Sequence, residues 1–288
     1  MRIGARGSAL AVAQTNDVAR ALAVDCEVIT ITTTGDRDAT AIDKERWTRE
    51  LDGALLRGEI DLAVHSAKDV PAELPEGIEI VATPLRASAL DALCGAASLG
   101  ALPPGARIGT SSLRRAAQLC ALRDDIEVID LRGNVDTRLA RLAAGDYDAI
   151  VLALAGLQRL GRVAEATGEL RELVPSAGQG VLALAARSGD DVTRDAVRPI
   201  DDAVTHACLL AERALVRALG ADCHTPVGAH ATMAADGTMT LTAFAGRVDG
   251  SAWVRDSLTS TQTGDPEALG TLVAQRLRSA GADEVLGR

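Results

Sequence analysis

Short apolar runs alternate with amphipathic helical patterns along most of the chain. Runs rich in β-branched residues predict strands, and they read "CEVITITTT" (26–34), "IDLAVHS" (60–66), "RIGTSS" (107–112), "EVIDLRG" (127–133) and "YDAIVLALAG" (147–156). The patterns between them predict helices over 9–23, 47–57, 112–122 and 135–144, the first capped by Ser8 and the second ended by Gly58. Alternation of this kind predicts parallel sheets covered by helices.

The C-terminal part has a different pattern. A long helix is predicted over 201–220, and the runs 228–234, 238–248 and 251–260 then alternate as strands of an antiparallel sheet do. A closing helix is predicted over 266–282. The segments 84–93 and 100–107 are typical of a crossing from one α/β unit to another.

Composition narrows the class of protein. A chain of 288 residues with 47% hydrophobic residues can bury sizeable cores and suggests two or three domains. No signal peptide and no apolar window of about 18 residues are recognisable, so we expect a cytoplasmic protein without a membrane partner. The five cysteines include no CxxC pair, which disfavours a disulfide framework and a metal site. A net charge of -10 and 1% aromatic residues argue against a nucleic-acid partner.

Cations and hydroxyls collect where the predicted strands end. In open α/β sheets ligands bind at the carboxyl ends of the strands, and helix N-termini there favour anions. The sequence therefore predicts a cleft for a ligand with several carboxylates or phosphates, and the absence of Gly-rich phosphate-loop motifs disfavours nucleotides. The residues in these turns are Arg6, Ser8, Ser66, Lys68, Asp69, Thr110, Ser111, Ser112, Arg114, Arg115, Arg132, Asn134 and Arg138.

Asp69 is the exception, because it is a carboxylate in a predicted anion site. It follows Lys68, one of only two lysines in the chain, the other being Lys44. One hypothesis makes Asp69 an ion-pair partner of Lys68 or of a nearby arginine. The other makes it a proton donor or a counter-charge for a cation formed during a reaction.

At these turns the chain resembles the porphobilinogen deaminase (hydroxymethylbilane synthase) family nearly from end to end. The segments that carry the resemblance are "AVHSAKDVP", "GTSSLRRAAQL", "LRGNVDTRL", "YDAIVLALAGLQRLG", "PSAGQG" and "AERALVRALGADCHTPVG". The resemblance implies two doubly wound α/β domains like those of periplasmic binding proteins, facing each other across a cleft, and a small C-terminal α+β domain. The implied divisions are 1–86 with 180–200, then 87–179, then 201–288.

The resemblance also implies an activity. Four porphobilinogen molecules would be joined head to tail, each losing ammonia, on a dipyrromethane cofactor attached to Cys223, and hydroxymethylbilane would be released by hydrolysis. Asp69 would be catalytic, and Lys68, Ser66, Thr110, Ser111, Ser112, Arg114, Arg115, Arg132 and Asn134 would bind the cofactor. The implied substrate-binding residues are Arg6, Ser8, Arg138, Arg159, Trp47, Lys44 and Gln179. A monomer that passes its product to uroporphyrinogen-III synthase is expected.

Three segments differ from the family's pattern. The loop 42–47 reads "IDKERW" and lacks the family's glycines, Leu90-Asp91 replaces Arg-Asp, and Ala221-Asp222 replaces Gly-Gly before Cys223. A carboxylate beside the thiol would raise its pKa. Two alternatives therefore remain open: a homologue with reduced or lost turnover, and a non-catalytic two-domain binder of small polycarboxylates.

Overall fold

The fold is described from a computed structural model. It describes residues 1–34, 47–222, 224–260 and 265–288. The chain divides into two compact units, one of Met1–Ala87 with Gly180–Ala207 and one of Ser88–Gln179 with Cys208–Arg288. Within the described ranges, no helix has the length and apolarity needed to cross a membrane.

The first unit is built on a five-stranded sheet of order β2-β1-β3-β10-β4. Strands β1 and β3 are parallel, as are β1 and β2, whereas β10 is antiparallel to both β3 and β4. The strands are β1 (Arg2–Arg6), β2 (Glu27–Ile31), β3 (Leu62–Ser66), β4 (Ile78–Ala82) and β10 (Leu182–Arg187). The helices are α1 (Ala9–Ala21), α2 (Arg49–Leu56) and α6 (Asp191–Val197).

Both faces of this sheet are covered, as the alternation along β3 requires. Leu62 and Val64 lie in one apolar cluster with Val18 of α1. Ala63 points the other way and lies in a second cluster with Leu51 of α2. Successive side chains of a strand face opposite sides, so an apolar run without polar interruptions is buried between two helical layers.

The second unit contains a five-stranded sheet of order β7-β6-β8-β5-β9. Val151 packs with Leu119 in one apolar cluster, and the neighbouring Ile150 packs with Leu139 in another, so helices cover both faces here too. The strands are β5 (Asp91–Cys94), β6 (Arg107–Gly109), β7 (Glu127–Ile129), β8 (Ala149–Ala153) and β9 (Gly168–Leu170). The helices are α3 (Leu113–Leu122), α4 (Val135–Ala143) and α5 (Leu154–Arg159).

The C-terminal part of the second unit forms a separate sheet. Helix α7 (Ala203–Ala218) leads into the antiparallel strands β11 (Val227–Met233), β12 (Met239–Gly246) and β13 (Trp253–Ser260). Helices α8 (Pro266–Ser279) and α9 (Ala282–Val285) follow. Phe244 of β12 is buried with Ala117 of α3 and Val174, and this contact joins the small sheet to the α/β part of the unit.

The predicted fold class is confirmed: two doubly wound α/β sheets and a smaller C-terminal α+β part. The expected parallel strands are present, but each of these two sheets is mixed, because β10 and β5 run antiparallel to their neighbours. Predicted helix ends differ by one to three residues; the last helix ends at Ser279 because Gly281 adopts a φ of 98°. The division of the second unit into two domains stays a prediction.

Candidate functional site

One edge of the first sheet gathers five of the predicted site residues. Strands β1 and β3 are parallel neighbours, with Ile3 opposite Leu62, so they end on the same side of the sheet. In an open α/β sheet, ligands usually bind beyond the C-terminal ends of the parallel strands. Arg6 and Ser66 end the two strands, and Ser8, Lys68 and Asp69 follow them.

The two serines have defined hydrogen bonds. Ser8 is the N-cap of α1, and its hydroxyl accepts a hydrogen bond from the Ala11 amide at 3.2 Å. The Ser66 hydroxyl accepts one from Nε2 of Gln14 at 2.8 Å. Gln14 is buried on the inner face of α1, and the sequence prediction omitted it. Its position three residues after buried Ala11 is the signal that could have identified it.

Lys68 and Asp69 lie in a 3-10 turn, Ala67–Asp69, that follows β3 directly. The turn is anchored from within, because the Ala67 amide donates to the Val181 carbonyl at 3.0 Å and Val70 is buried. Lys68 and Asp69 are both half-buried. A fixed backbone therefore presents an ammonium and a carboxylate side by side at the sheet edge.

His65, the next-to-last residue of β3, is buried beside these charges. Burial, against the opposing effect of the Asp69 carboxylate and with a smaller contribution from the Arg6 guanidinium, lowers its pKa to about 4. Arg6 and Asp69 are thus both within electrostatic range of one neutral imidazole. The sequence prediction omitted His65, although a histidine in the apolar run before the turn was visible.

Arg6 also contacts an aromatic ring. Its guanidinium carbon lies 3.8 Å from the ring centroid of Trp47, which is half-buried just before α2. This stack brings together two residues that the resemblance assigned to substrate binding. Lys44 and the other residues of the predicted loop up to 46 lie outside the described residues.

In the second unit, the turn after β6 is organised by its hydroxyls. The Ser112 amide donates to the Thr110 hydroxyl at 3.2 Å. The Ser112 hydroxyl caps α3 by accepting from the Arg115 amide at 3.4 Å. Ser111 lies between them and is half-buried. Capping of this kind directs the first-turn amides of the helix to the sheet edge.

Arg114 and Arg115 share a buried carboxylate. Nη2 of Arg114 donates to Oδ2 of Asp91 at 2.8 Å, and Nε and Nη2 of Arg115 donate to Oδ1 at 3.0 and 2.7 Å. The two arginines are only 4% and 6% exposed, and Asp91 is 1% exposed. Gln179 donates to Oδ1 of Asp91 at 2.9 Å and to the Ala89 carbonyl at 2.6 Å.

This network carries an excess of positive charge. Burial alone would raise the pKa of Asp91, but the charges of Arg114 and Arg115 and their hydrogen bonds hold it well below its usual range. One carboxylate thus faces two guanidiniums, and Nε of Arg114 is buried without a hydrogen-bond partner. Binding of a ligand carboxylate by these arginines stays a prediction. The sequence prediction gave Asp91 no role beyond its place in the altered dipeptide.

The turn after β7 holds Arg132 and Asn134, and Arg138 lies in the first turn of α4 that follows. Asn134 caps α4, its Oδ1 accepting from the Thr137 amide at 2.8 Å. Arg132 forms an exposed ion pair with Asp130 at 2.9 Å, and Nε of Arg138 donates to the carbonyl of residue 133 at 2.7 Å. Strands β6, β7 and β8 are parallel neighbours, so this turn lies on the same edge of the sheet as the turn after β6.

Arg159 ends α5, the short helix that follows β8, and is half-buried. Because β8 is parallel to β6, α5 starts from that same edge of the sheet. Most of the predicted residues that the structure describes therefore form two sets, one at the ligand edge of the first unit's sheet and one at that of the second unit's five-stranded sheet. No group of three or more His, Cys, Asp or Glu side chains that could hold a metal occurs in the described part of the chain.

Cys223 lies outside the described residues, but its neighbours are defined. Asp222 is exposed, and its Oδ1 accepts hydrogen bonds from the Thr225 hydroxyl at 2.8 Å and the His224 amide at 2.9 Å. Partial burial would raise the pKa of Asp222, but these hydrogen bonds lower it overall. The carboxylate is therefore engaged with the turn that follows the cysteine.

Glu212 of α7 holds the segment that contains Gln179. It is fully buried, and its two oxygens accept hydrogen bonds from the Gly178 amide at 2.6 Å and the Ala231 amide at 2.8 Å. One carboxylate thereby links the "PSAGQG" segment to β11 within the second unit. Sequence reasoning assigned Glu212 no role.

Similar proteins were found by sequence and by structure. In structure, the chain is similar to an ABC transporter from Parabacteroides distasonis, with 13% identity, a TM-score of 0.45, and coverage of 76% of this chain and 73% of that one. In sequence, it is 44% identical to a porphobilinogen deaminase of Roseiflexus castenholzii, over 99% of this chain and 98% of the relative. It is 43% identical to a porphobilinogen deaminase of Thermus thermophilus, with the same coverage of both chains.

Two family models cover most of the chain. The porphobilinogen deaminase dipyrromethane cofactor binding domain matches residues 1–195, and the porphobilinogen deaminase C-terminal domain matches residues 206–279. The match includes both sheet edges and the helix and sheet that flank Cys223. The chain therefore belongs to the porphobilinogen deaminase family.

Proposed function

We propose that this chain joins four porphobilinogen molecules head to tail, with loss of ammonia at each addition, and releases hydroxymethylbilane by hydrolysis. The primer is a dipyrromethane attached through Cys223. The observation that carries the proposal is the place of Asp69: a half-buried carboxylate in an anchored turn, next to Lys68 and, like Arg6, within electrostatic range of His65. A binder of polycarboxylates would gain nothing from a carboxylate there.

The residues of the second unit fit such a cofactor. Dipyrromethane bears acetate and propionate groups, and guanidiniums, hydroxyls and helix N-termini are the donors that carboxylates prefer. The turns after β6 and β7 offer these donors, and within the described residues Arg114 and Arg115 share the single carboxylate of Asp91. The proposed cofactor-binding residues are Thr110, Ser111, Ser112, Arg114, Arg115, Arg132 and Asn134 in this unit, with Ser66 and Lys68 from the first unit.

When bound, dipyrromethane supplies the pyrrole carbon to which the substrate units are added. Asp69 acts on the substrate: it donates a proton to the departing nitrogen as the C–N bond breaks and the electron pair leaves with that nitrogen. The carboxylate then stabilises the positive charge that remains on the pyrrole. Lys68, next to Asp69, binds acetate or propionate groups of the pyrroles.

Cations and hydroxyls are the groups proposed to bind the substrate carboxylates. An Arg fork binds a carboxylate through two parallel hydrogen bonds and so fixes its orientation as well as its charge. The proposed substrate-binding residues are Arg6, Ser8, Lys44, Trp47, Arg138, Arg159 and Gln179. Gln179, which is buried on Asp91, contributes by holding the Arg114 site.

The protein is proposed to act in the cytoplasm as a monomer. Its product is a linear tetrapyrrole that uroporphyrinogen-III synthase would take up next. The net charge of -10 is consistent with a small-molecule substrate and not with nucleic acid.

The mass of the intact protein tests the proposal. Protein from cells that make porphobilinogen should carry the mass of one dipyrromethane and should convert porphobilinogen to hydroxymethylbilane. Cys223→Ser should lack the added mass, whereas Cys120→Ser, which changes a half-buried free thiol of the same unit, should keep it. Added mass on Cys223→Ser, or loaded wild-type protein without turnover, would contradict the proposal.

A further inference from the structure

The stack of Arg6 on Trp47 is the closest cation–aromatic contact in the described part of the chain. Its distance of 3.8 Å is well inside the range of about 6 Å over which a guanidinium is attracted to an indole face. Trp47 is one of two tryptophans in a chain with 1% aromatic residues. The contact joins the end of β1 to the residue that leads into α2.

The packing of α2 on β1 sets the place of Trp47. Leu51 of α2 is fully buried, and it lies so close to Gly4 of β1 that a Cβ there would be 2.8 Å from Cδ2 of Leu51. Gly4 therefore allows the helix to approach the strand closely. Since Trp47 precedes α2 by two residues, this approach brings its ring to Arg6, two residues beyond Gly4.

A second contact holds the start of α2. The Glu50 carboxylate accepts hydrogen bonds from the amide of Thr34 at 2.9 Å and from its hydroxyl at 2.5 Å. Burial would raise the pKa of Glu50, but the hydrogen bonds from Thr34 lower it overall, so the carboxylate is charged at neutral pH. Thr34 follows β2, so α2 is tied to two neighbouring strands of the sheet.

We propose that Trp47 is a positioning residue for Arg6: its ring holds the guanidinium plane so that the N–H edge faces a carboxylate of the substrate. This inference rests on the proposed function, in which Arg6 binds porphobilinogen. Stacking uses the face of the guanidinium, whereas carboxylate binding uses the N–H groups in its plane. A stacked arginine can therefore bind both partners at once.

A simpler hypothesis makes Trp47 an apolar cover that only excludes water. The two hypotheses differ in what can replace the indole. A cover needs apolar volume, which Trp47→Leu retains in large part. A positioning ring needs a π face, which Trp47→Phe retains and Trp47→Leu does not.

Steady-state kinetics with porphobilinogen on cofactor-loaded protein separates the two. Trp47→Leu should raise KM by about 3- to 30-fold, the range that a cation–π contact contributes, with kcat within about twofold. Trp47→Phe should lie between Trp47→Leu and the wild type. Equal KM values for Trp47→Leu and Trp47→Phe, or a loss confined to kcat, would overturn the inference. Trp47→Leu added to Arg6→Ala should have no further effect, since the group to be positioned is gone.

Tryptophan fluorescence gives a second readout, which reports binding near Trp47 and not the rate of product formation. Trp253 packs on Phe244 in the C-terminal sheet, with ring centroids 6.2 Å apart, so Trp253→Phe leaves Trp47 as the sole tryptophan. In that background, titration with porphobilinogen should give a saturable change in emission, and Arg6→Ala should abolish it. The same titration of Trp47→Phe in the otherwise wild-type chain is the control for Trp253.

The outcomes separate the inference from the proposed function. Normal turnover without a Trp47 signal would overturn the inference and leave the proposed function in place. A saturable Trp47 signal that depends on Arg6, in protein that forms no tetrapyrrole, would support the inference and contradict the proposed function.

Discussion

Oδ1 of Asp91 lies 2.7 Å from Nη2 of Arg115, with both side chains inside the second unit. Oδ2 of the same carboxylate binds Arg114 at 2.8 Å. Two arginines in succession at a helix start would repel each other in a buried setting. Asp91, at the beginning of β5, offsets that repulsion and fixes both guanidiniums relative to the sheet edge.

Asp91→Asn should destabilise the protein strongly. The substitution keeps the shape but removes the charge, so two guanidiniums would remain buried without a counter-ion. Breaking a buried pair in this way costs about 3–5 kcal/mol. Urea denaturation measures the free energy of unfolding of each variant. The mass of the intact protein then shows whether the variant retains dipyrromethane.

An exposed pair of the same unit provides the control. Arg107 and Asp148 are 3.3 Å apart with side chains 41% and 39% exposed, so Asp148→Asn should destabilise the protein far less than Asp91→Asn does. Similar losses for Asp91→Asn and Asp148→Asn would mean that the buried network contributes no more than a surface pair.

Asp69 should be required for chemistry and not for folding. Asp69→Asn loses the acid and the charge, and loss of general acid–base catalysis alone costs about 100- to 10,000-fold in rate. Asp69→Glu keeps both but moves the carboxylate by one methylene, and a misplacement of about 1 Å can cost on the order of 100-fold. Single-turnover elongation on cofactor-loaded protein measures the rate without interference from cofactor assembly.

Glu76→Gln is the matched control, because Glu76 is an exposed acid of the same unit. It should retain the wild-type rate. If Asp69→Asn were as fast as Glu76→Gln, Asp69 would be only an ion-pair partner of a neighbouring cation, and the proposed mechanism would fail.

Sequence patterns were sufficient for elements whose signal is local. Strand β3 is predicted by an apolar run, and the N-caps Ser8, Ser112 and Asn134 are polar residues directly before helical patterns. The places of β5 and β10 have no such signal, since their antiparallel direction depends on a chain that leaves a sheet and returns. Local periodicity holds no information about that return.

In the candidate site too, local sequence patterns predict single positions but not contacts between distant segments. That Arg6, Asp69 and Arg132 lie at strand ends follows from their place after apolar runs. That Asp91 would bind two arginines depends on β5 lying next to β8 in the sheet, a contact between segments about sixty residues apart. A lone carboxylate in the apolar segment "SALDALC" was the only visible sign of that partner.

His65 should make stability depend on pH. Its pKa falls from an ordinary value of 6.5 to about 4 in the folded protein, so between these values the unfolded chain binds more protons. Stability from this group is complete above about pH 6.5 and is lost as the pH falls towards 4, by on the order of 3 kcal/mol in total. The midpoint of thermal unfolding between pH 7 and 4.5 should therefore fall less steeply in His65→Gln than in the wild type.

His206→Gln controls for histidine in general. Nδ1 of His206 lies 3.2 Å from the Asp201 carboxylate, and the side chain is 27% exposed, so this imidazole is not fully buried as that of His65 is. His206→Gln should therefore leave the dependence of the thermal unfolding midpoint on pH as steep as in the wild type. Parallel curves for wild type and His65→Gln would show that the imidazole is not buried as described.

Gly4→Ala tests whether the packing of α2 on β1 controls the Arg6 site. A Cβ at Gly4 would contact Cδ1 of Ile60 and lie 2.8 Å from Cδ2 of Leu51, in a cluster where both side chains are fully buried. Overpacking of this kind costs about 1–3 kcal/mol and moves the helix outwards. Since Trp47 precedes that helix, its ring should leave Arg6, and KM for porphobilinogen should rise. Dipyrromethane retention should be kept, because most of its proposed donors belong to the second unit.

Gly7→Ala is the control for stability, because a Cβ there would meet only Cγ2 of Thr30 at an ordinary 3.7 Å. Unfolding free energies and KM values of the two variants decide the matter. A destabilised Gly4→Ala with an unchanged KM would mean that Trp47 is held at Arg6 by something other than the helix.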